Sequence, residues 1–422
     1  GWRVPWHARA LLVGNPHGSS FQSRSDLLSA NVACCPCMAL HPRRSRDLQA
    51  LVSFRESSER TAAILKVHEK HFDNYTTTHL AYSWRLLERL SCDEHVKDIA
   101  LQSHEDTLGP LRNQTRRMIS MLQATQVATI VHAMAKLGVP NDNKWQVTWE
   151  ALACAAQVQE RLDDFTPQEL ANIAWAYAKA GVRAPDLFAA MALKAEEHMQ
   201  NFKPQELSIT LWAYTKIGVK APDLFKAAQE HAKKQLRSFK PQELSNMAWA
   251  YSKSGVAIPD LFAAIAQEAE GRLSDFKPQE LSNMAWAFAA ADVVVLEFFE
   301  ALADQVEEQL GAFKPQELAN TAWAFAKAGV ARPKLFTALA ECVQEHLGDF
   351  KPQEMSNVVW AYATAEIAVP RLFRSVAEEA QMRLMEFKPQ ELANTAWSYA
   401  SVGEPAPDLF LKIAEAASRQ LD

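Results

Sequence analysis

Residues 313–329 read Phe-Lys-Pro-Gln-Glu-Leu-Ala-Asn-Thr-Ala-Trp-Ala-Phe-Ala-Lys-Ala-Gly, and they predict the beginning and the end of one helix. Pro315 suits the first helical position, where a missing backbone N–H costs nothing, and Phe313 and Leu318 can pack together across it as a hydrophobic staple. The glutamate between them favours the positive end of the helix dipole. Gly329 suits the left-handed residue that commonly ends a helix.

The pattern recurs at a constant interval of 37 residues. Its first residue is a phenylalanine in every copy: Phe165, Phe202, Phe239, Phe276, Phe313, Phe350 and Phe387. A fixed period of this length is typical of a repeat architecture. We therefore divide residues 165–422 into seven tandem repeats, namely 165–201, 202–238, 239–275, 276–312, 313–349, 350–386 and 387–422.

Each repeat also predicts a second helix. A proline opens it in six copies, at Pro185, Pro222, Pro259, Pro333, Pro370 and Pro407, and apolar residues follow at helical spacing. The glycine between the two helices is replaced by Asp292 and Glu366 in two copies, so we expect those turns to be strained or differently closed. Six copies place a lysine, such as Lys203, where a helix prefers a side-chain acceptor, so we expect an imperfect cap.

One helix pair cannot bury its apolar face alone, so neighbouring pairs must stack. The sequence therefore predicts an all-α protein, a right-handed α-solenoid superhelix of stacked antiparallel helix pairs. Residues 122–164 resemble an eighth, degenerate capping repeat in which His132 replaces the tryptophan of the other copies. Residues 61–121 are predicted to form an N-terminal helical region.

Residues 1–60 lack the repeat and are rich in arginine and serine, which suits either a transit peptide or a disordered linker. On the first interpretation the protein is sent to a chloroplast or a mitochondrion; otherwise it is cytoplasmic. No uninterrupted apolar run approaches the roughly 18 residues of a membrane span, so we expect no membrane partner. The six cysteines form no disulfide framework by their spacing, and reduced thiols are the simplest interpretation.

No sequence pattern points to catalysis. Cys34, Cys35 and Cys37 have no complementary ligands at zinc spacing, and His68 and His71 lack the acidic partner of a metalloprotease motif. The chain contains no nucleophile elbow, phosphate-binding glycine loop or dinucleotide fingerprint. We therefore expect no enzyme activity, no metal, no cofactor and no small-molecule substrate.

The stretch 313–329 resembles octotricopeptide repeats, the helical repeats of organellar RNA-binding proteins such as chloroplast translation factors of green algae. The resemblance covers residues 122–422 and is strongest between the first proline and the tryptophan of each copy. The second helix departs from it, since residues 184–188 read Ala-Pro-Asp-Leu-Phe where the family has Pro-Pro-Pro-Glu-Trp. The resemblance implies that single-stranded RNA binds along the concave surface, in RNA processing, stability or translation.

Two recurring polar residues are candidates for RNA binding. On a helical wheel of the first copy, Gln168, Asn172, Ala176 and Lys179 lie opposite the apolar arc. An asparagine amide can pair with base edges and a lysine can neutralise a phosphate. Equally, each asparagine could bond a neighbouring helix or loop and each lysine could simply be solvated. The candidates are Asn172, Asn246, Asn283, Asn320, Asn357 and Asn394, with Lys179, Lys216, Lys253 and Lys327.

Other features limit the kind of binding. The tryptophan of each repeat, such as Trp175, could stack a base, but it lies at the edge of the apolar arc and we assign it to packing between helices. The repeats are nearly identical, whereas a base code needs residues that differ between repeats, so we expect sequence-tolerant binding. The formal charge of −6 argues against a strongly basic groove. Acidic second helices indicate that the two faces of the array differ in sign.

The leading hypothesis is a protein that binds single-stranded RNA of an organellar transcript and acts in RNA processing, stability or translation. A protein-interaction scaffold of the α-solenoid type is the alternative. A third interpretation is the recognition arm of a larger RNA-processing enzyme. Titration with single-stranded RNA discriminates the first two.

Overall fold

The computed structural model describes residues 75–90, 108–157, 162–256 and 259–421. Eighteen α-helices and no β-strand occur among them, which confirms the predicted all-α class. The expected targeting segment, the three clustered cysteines and the two N-terminal histidines lie outside the described residues. The helices are α1 Thr77–Leu90, α2 Gly109–Met118, α3 Ala124–Leu137, α4 Gln146–Gln157, α5 Pro167–Ala180, α6 Pro185–Glu197, α7 Pro204–Ile217, α8 Pro222–Lys233, α9 Pro241–Ser254, α10 Pro259–Glu270, α11 Pro278–Ala290, α12 Leu296–Gln309, α13 Pro315–Lys327, α14 Pro333–Glu345, α15 Pro352–Thr364, α16 Pro370–Arg383, α17 Pro389–Val402 and α18 Pro407–Leu421.

Each repeat contributes a first helix (α5, α7, α9, α11, α13, α15 and α17) that begins at its proline. In α5, the Thr166 hydroxyl accepts the Glu169 backbone N–H at 3.3 Å, and the Glu169 carboxylate accepts the Thr166 backbone N–H at 2.8 Å. Where lysine replaces threonine, only the second bond remains, as between the Lys240 backbone N–H and Glu243 at 2.9 Å. The lysine side chain has no acceptor, so the cap is half formed, as predicted.

The turns after six of the seven first helices are closed in one way; after α9, the Val256 backbone N–H instead donates to the Ser254 hydroxyl at 3.1 Å. Gly329 has a φ of 68°, and Asp292 and Glu366 adopt the same left-handed conformation with φ values of 53° and 56°. The backbone N–H of the following residue returns to the helix in both types of turn, at 3.1 Å after Gly329 and at 3.0 Å after Asp292. A residue with a side chain is disfavoured in this conformation by roughly 1–2 kcal/mol. The two turns are therefore strained but not differently closed.

The second helices (α6, α8, α10, α12, α14, α16 and α18) begin at their prolines, except α12, which has none and begins at Leu296. From α6 to α16, a short 3₁₀ turn leads to the phenylalanine of the next repeat, whose backbone N–H closes the turn, as from Phe239 to the Leu236 carbonyl at 3.0 Å. That phenylalanine and the first-helix leucine are buried, for example Phe239 and Leu244. The staple therefore fixes the chain direction at each junction.

Neighbouring repeats stack side by side and form an α-solenoid, as predicted. First helices of adjacent repeats lie close along their length, whereas second helices touch less. Small residues at the contact allow this approach: Ser282 donates to the Glu317 carbonyl at 3.1 Å, and Thr215 donates to the Ala250 carbonyl at 3.3 Å. Closer packing of the first helices than of the second helices favours curvature of the array toward the first-helix side. We call the first helices together the first-helix layer and treat it as the inner surface.

The stack continues toward the N terminus through α3 and α4 and then through α1 and α2. Helix α1 packs on α3 as a further first helix, and α2 packs on α4. Leu80, Trp84 and Leu87 of α1 are fully buried, and the Trp84 ring N–H donates to the Thr115 hydroxyl at 3.0 Å. Among the described residues, none of the helices is long and apolar enough to cross a membrane.

Candidate nucleic-acid interface

Four positions of each first helix form one stripe along the first-helix layer. They are separated by four, three and four residues, so they share one helix face. In α5 they are Gln168, Asn172, Trp175 and Lys179. Ala176, which the helical wheel placed on this stripe, is instead fully buried in the core. We call the four positions, taken over all repeats, the inner stripe.

The asparagines lie deeper than a solvated stripe would place them. Asn246 and Asn320 are only 4% exposed, and Asn172, Asn283, Asn357 and Asn394 are half-buried. Nδ2 of Asn246 is a buried donor without a hydrogen-bond partner among the described residues. At this repeat the amide nitrogen therefore does not bond a neighbouring helix or loop. An unpaired buried donor costs about 1–3 kcal/mol, which an acceptor on a ligand would offset.

The tryptophans form a row along the same stripe. Trp286 and Trp323 stack with ring centroids 6.0 Å apart and planes 26° apart, and Trp323 and Trp360 stack at 6.0 Å and 28°. These three rings are half-buried, and Trp397 in the last repeat is 47% exposed. Trp286, Trp323 and Trp360 thus pack together while part of each ring stays at the surface, whereas Trp175 and Trp212 of the first two repeats are buried. The packing predicted from the edge of the apolar arc is present, and the spacing of the tryptophan from the asparagine and the lysine places all three residues on one face of the helix.

The stripe lysines are exposed but not equivalent. Lys253 Nζ lies 4.7 Å from the centroid of the Trp286 ring in the next repeat, a cation–π contact. Lys327 Nζ lies 2.7 Å from Oδ1 of Asp292 in the preceding repeat, so an ion pair offsets its charge. The remaining two, Lys179 and Lys216, are exposed as well. The matching residues of the other three repeats are Ala290, Thr364 and Ser401. The positive charge of the inner stripe is therefore concentrated in the first three repeats.

Helix α3 extends the inner stripe with Thr129, His132 and Lys136 at the asparagine, tryptophan and lysine positions. The His132 ring lies 5.0 Å from the Trp175 ring and thereby continues the aromatic row. Glu88 of α1 lies 3.0 Å from Lys136 and 3.4 Å from His132. Burial opposes ionisation of the Glu88 carboxyl, but the hydrogen bonds and charges of His132 and Lys136 outweigh it and lower its pKa to about 2.

A polar cavity of about 320 Å³ opens where α1, α3 and α5 meet on the inner stripe. Its lining includes Arg85, Glu88, His132, Glu169 and Asn172.

The second helices differ from this surface in charge. In α12 they expose a run of acids, namely Glu297, Glu300, Asp304 and Glu308. Anionic ligands are therefore disfavoured along α12, whereas α8 carries as many basic as acidic residues and α16 carries more basic than acidic ones. No group of three or more metal-ligating side chains occurs in the described ranges.

The architecture and the stripe define an α-solenoid repeat protein with a polar and aromatic inner face. A family model described as RNA-editing substrate-binding complex 6 protein matches residues 111–328 and 297–415, which is more than half of the chain. The chain belongs to this family. The match supports the coarser expectation of an RNA-associated helical-repeat protein, and it does not single out octotricopeptide repeats.

Other comparisons add little. No curated protein sequence matches the chain significantly. One chain from a structure titled "Homology model of the full-length AP-3 complex in an intermediate open conformation" aligns over 90% of this chain and 73% of its own, at 10% identity and a TM-score of 0.29.

Proposed function

We propose that the protein binds single-stranded RNA along the inner stripe, with little sequence preference, and acts by binding rather than by catalysis. The observation that carries the proposal is the row of half-buried tryptophans at Trp286, Trp323 and Trp360, stacked on the face that also carries the asparagines and lysines. Aromatic platforms of this kind bind unstacked bases of any sequence, because every base has a π-face.

The residues of the stripe have complementary roles in this proposal. The exposed parts of the tryptophan rings from Trp249 to Trp397 contact bases, and the asparagine amides, above all the unpaired Nδ2 of Asn246, donate to base or sugar oxygens. Lys179, Lys216 and Lys253 neutralise phosphates over the first three repeats. The asparagine, the tryptophan and the glutamine are repeated almost without change, so the repeats offer the same types of side chain even though their exposure differs. Binding that tolerates many sequences follows from this uniformity.

The family description supplies the setting of the proposal. It refers to binding of RNA-editing substrates within a complex, and we extend that role to this chain as an RNA-holding subunit with protein partners. We further propose that the protein works on organellar transcripts in a mitochondrion or chloroplast, since the arginine- and serine-rich composition of residues 1–60 suits a targeting segment. Octotricopeptide-like recognition stays part of this proposal.

Fluorescence anisotropy of labelled oligouridylate and oligoadenylate, titrated with the protein at low and moderate salt, tests the proposal. Binding of both RNAs, and weaker binding of an acidic polypeptide of similar charge, is the expected result. The double substitution Lys216→Glu and Lys253→Glu should lower RNA affinity. The matched control is Lys226→Glu with Lys412→Glu, which makes the same charge change at exposed positions of two second helices. RNA binding no tighter than that of the polypeptide would favour the protein-scaffold alternative.

A further inference from the structure

A second row of lysines borders the inner stripe. In six repeats the residue before the first helix is an exposed lysine, and stacking of the repeats lines these residues up along the N-terminal edge of the first-helix layer. We call them the edge lysines: Lys203, Lys240, Lys277, Lys314, Lys351 and Lys388. Among the described residues, no carboxylate lies within 4 Å of their ammonium groups. The exposed or half-buried glutamine two residues later, such as Gln242, begins the stripe beside each of them.

The fold does not require lysine at these positions. Thr166 occupies the same position in the first repeat and forms both capping bonds, so a good cap is compatible with the architecture. Lysine cannot accept the helix N–H, and its charge is unfavourable beside the positive end of the helix dipole. A residue that weakens the local structure in six of seven repeats calls for a role outside the fold.

The glutamate three residues after each edge lysine does not neutralise the positive charge of the lysine row. Its carboxylate turns back to accept the lysine backbone N–H, at 2.9 Å for Glu243, Glu280 and Glu317 alike. Burial raises the pKa of these three carboxyls, and the hydrogen bond and charge of the adjacent lysine oppose the rise. The carboxylates are therefore bound to the helix backbone, whereas the ammonium groups are exposed to solvent. A ligand at this edge contacts the positive charges first.

The edge lysines also occur in repeats in which the inner stripe has no unpaired lysine. In the last four repeats the stripe offers only Lys327, which is paired with Asp292. A strand whose bases follow the tryptophans through these repeats has no phosphate partner on the stripe itself. The edge row continues through all four of them, directly beside the stripe.

We propose that the edge lysines are a phosphate-binding track, so that the backbone of a single-stranded RNA runs along the N-terminal edge of the first-helix layer while its bases lie on the inner stripe. This inference rests on the proposed function and adds to it the placement of the strand. Each repeat from the second to the seventh contributes one cation to the track. The strand is thereby oriented across the helices, with backbone and bases on separate rows of residues.

The salt dependence of affinity tests the track. For single strands, log K falls against log salt with a slope of about −0.7 for each phosphate neutralised. The triple substitution Lys240→Thr, Lys277→Thr and Lys314→Thr should make that slope shallower by about 2 for oligouridylate between about 50 and 200 mM salt. The same variant should unfold at a higher temperature than the unmodified protein, because threonine restores the cap seen at Thr166.

The control is the triple substitution Lys234→Thr, Arg374→Thr and Lys412→Thr, which removes three exposed cations from the end of α8 and from α16 and α18, none with a carboxylate within 4 Å among the described residues. Its salt slope should match that of the unmodified protein. An unchanged slope in the edge variant, or an equal change in the control, would overturn the track while leaving RNA binding in place. Failure of the unmodified protein to bind RNA would instead remove the proposed function, and the track with it.

Discussion

Lys327 of the fifth repeat pairs with Asp292 of the fourth at 2.7 Å, and this contact links two departures from the repeat pattern. Asp292 stands where most copies have glycine and adopts a left-handed φ of 53°. The fourth repeat has also lost its own stripe lysine, which is Ala290. A strained acidic residue therefore neutralises a stripe lysine in the part of the array where such lysines are scarcest.

Replacing Asp292 with glycine should increase RNA affinity at low salt, because Lys327 would then be free to contact a phosphate. Stability should change by no more than about 1 kcal/mol, since relief of the left-handed strain offsets the loss of an exposed ion pair. Anisotropy titration and chemical denaturation measure the two effects. Glu366→Gly makes the same charge change at the same point of the repeat, but the stripe residue of the next repeat is Ser401, so its RNA affinity should be unaltered.

Glu366→Gly makes a separate prediction about the fold. The φ of 56° at Glu366 disfavours any side chain, so glycine should stabilise the array by up to about 1 kcal/mol after the added entropy of the unfolded chain is subtracted. The reverse change, Gly329→Ala, should destabilise it by about 1 kcal/mol. A Cβ at Gly329 meets no atom within 4 Å, so the cost would come from the backbone alone. Equal stability of both variants and the unmodified protein in urea would contradict the assignment of strain.

The sequence predicted most of the fold because the deciding signals are local. Proline at the first helical position, the flanking phenylalanine and leucine, and the glycine at the end each act within one helix, and repetition at 37 residues removes the remaining ambiguity. The stacking of helix α1 is less predictable from the sequence. Its stacking on α3 depends on contacts with residues about 48 positions away, such as Glu88 with Lys136, which a local pattern does not reveal.

The candidate site was predicted less completely, for a physical reason. A helical wheel gives the direction of each side chain but not the distance to the neighbouring helix. Small residues bring the first helices close together, so Asn246 becomes buried and Ala176 joins the core. The same approach brings the tryptophans into a stacked row at the surface. Whether a side chain at the edge of the apolar arc is covered depends on this spacing, which belongs to the stack and not to one repeat.

A recurring hydrogen bond ties five of the seven first helices to the preceding helix, through Tyr177, Tyr214, Tyr251, Tyr362 and Tyr399. The Tyr251 hydroxyl donates to the Phe225 carbonyl at 2.7 Å, and Tyr214 does the same to Phe188. Tyr251→Phe should destabilise the protein by about 1–2 kcal/mol, because it leaves a buried carbonyl unpaired. Phenylalanine already occupies this position at Phe288, so the fold should be retained. Urea denaturation measures the loss, and no change in the midpoint would show that the bond contributes nothing.

The contact of Glu88 with His132 and Lys136 should make the stability of α1 packing on the array depend on pH. A carboxyl whose pKa falls to about 2 on folding stabilises the folded state above its ordinary pKa, and that contribution is lost as pH falls toward 2. Glu88→Gln should therefore destabilise the N-terminal repeats by about 1–3 kcal/mol at neutral pH, reduced by partial exposure of the site. Hydrogen exchange of α1, measured from pH 7 downward, should show the two proteins converging in acid. A difference that stays constant with pH would contradict the prediction.

The tryptophan row gives the most direct test of base stacking, through two substitutions of Trp323. Both Trp323→Phe and Trp323→Leu remove an indole that packs between Trp286 and Trp360, so both should destabilise the array to a similar extent. Only phenylalanine retains a π-face for a base. Stacking on an aromatic ring contributes about 1–3 kcal/mol per base, so the leucine variant should bind oligouridylate roughly tenfold more weakly, while the phenylalanine variant keeps most of the affinity.

Comparing the two variants separates stacking from packing. If the row served only to join the first helices, affinity would follow stability, and the two variants would bind RNA alike. If bases stack on the row, the leucine variant should bind RNA more weakly than the phenylalanine variant although the two are similarly stable. The fluorescence of the remaining tryptophans should also be quenched when RNA is added to the phenylalanine variant. The exposed Leu193, on second helix α6, provides the background for this comparison, since Leu193→Phe adds an aromatic ring away from the stripe and should not change RNA affinity.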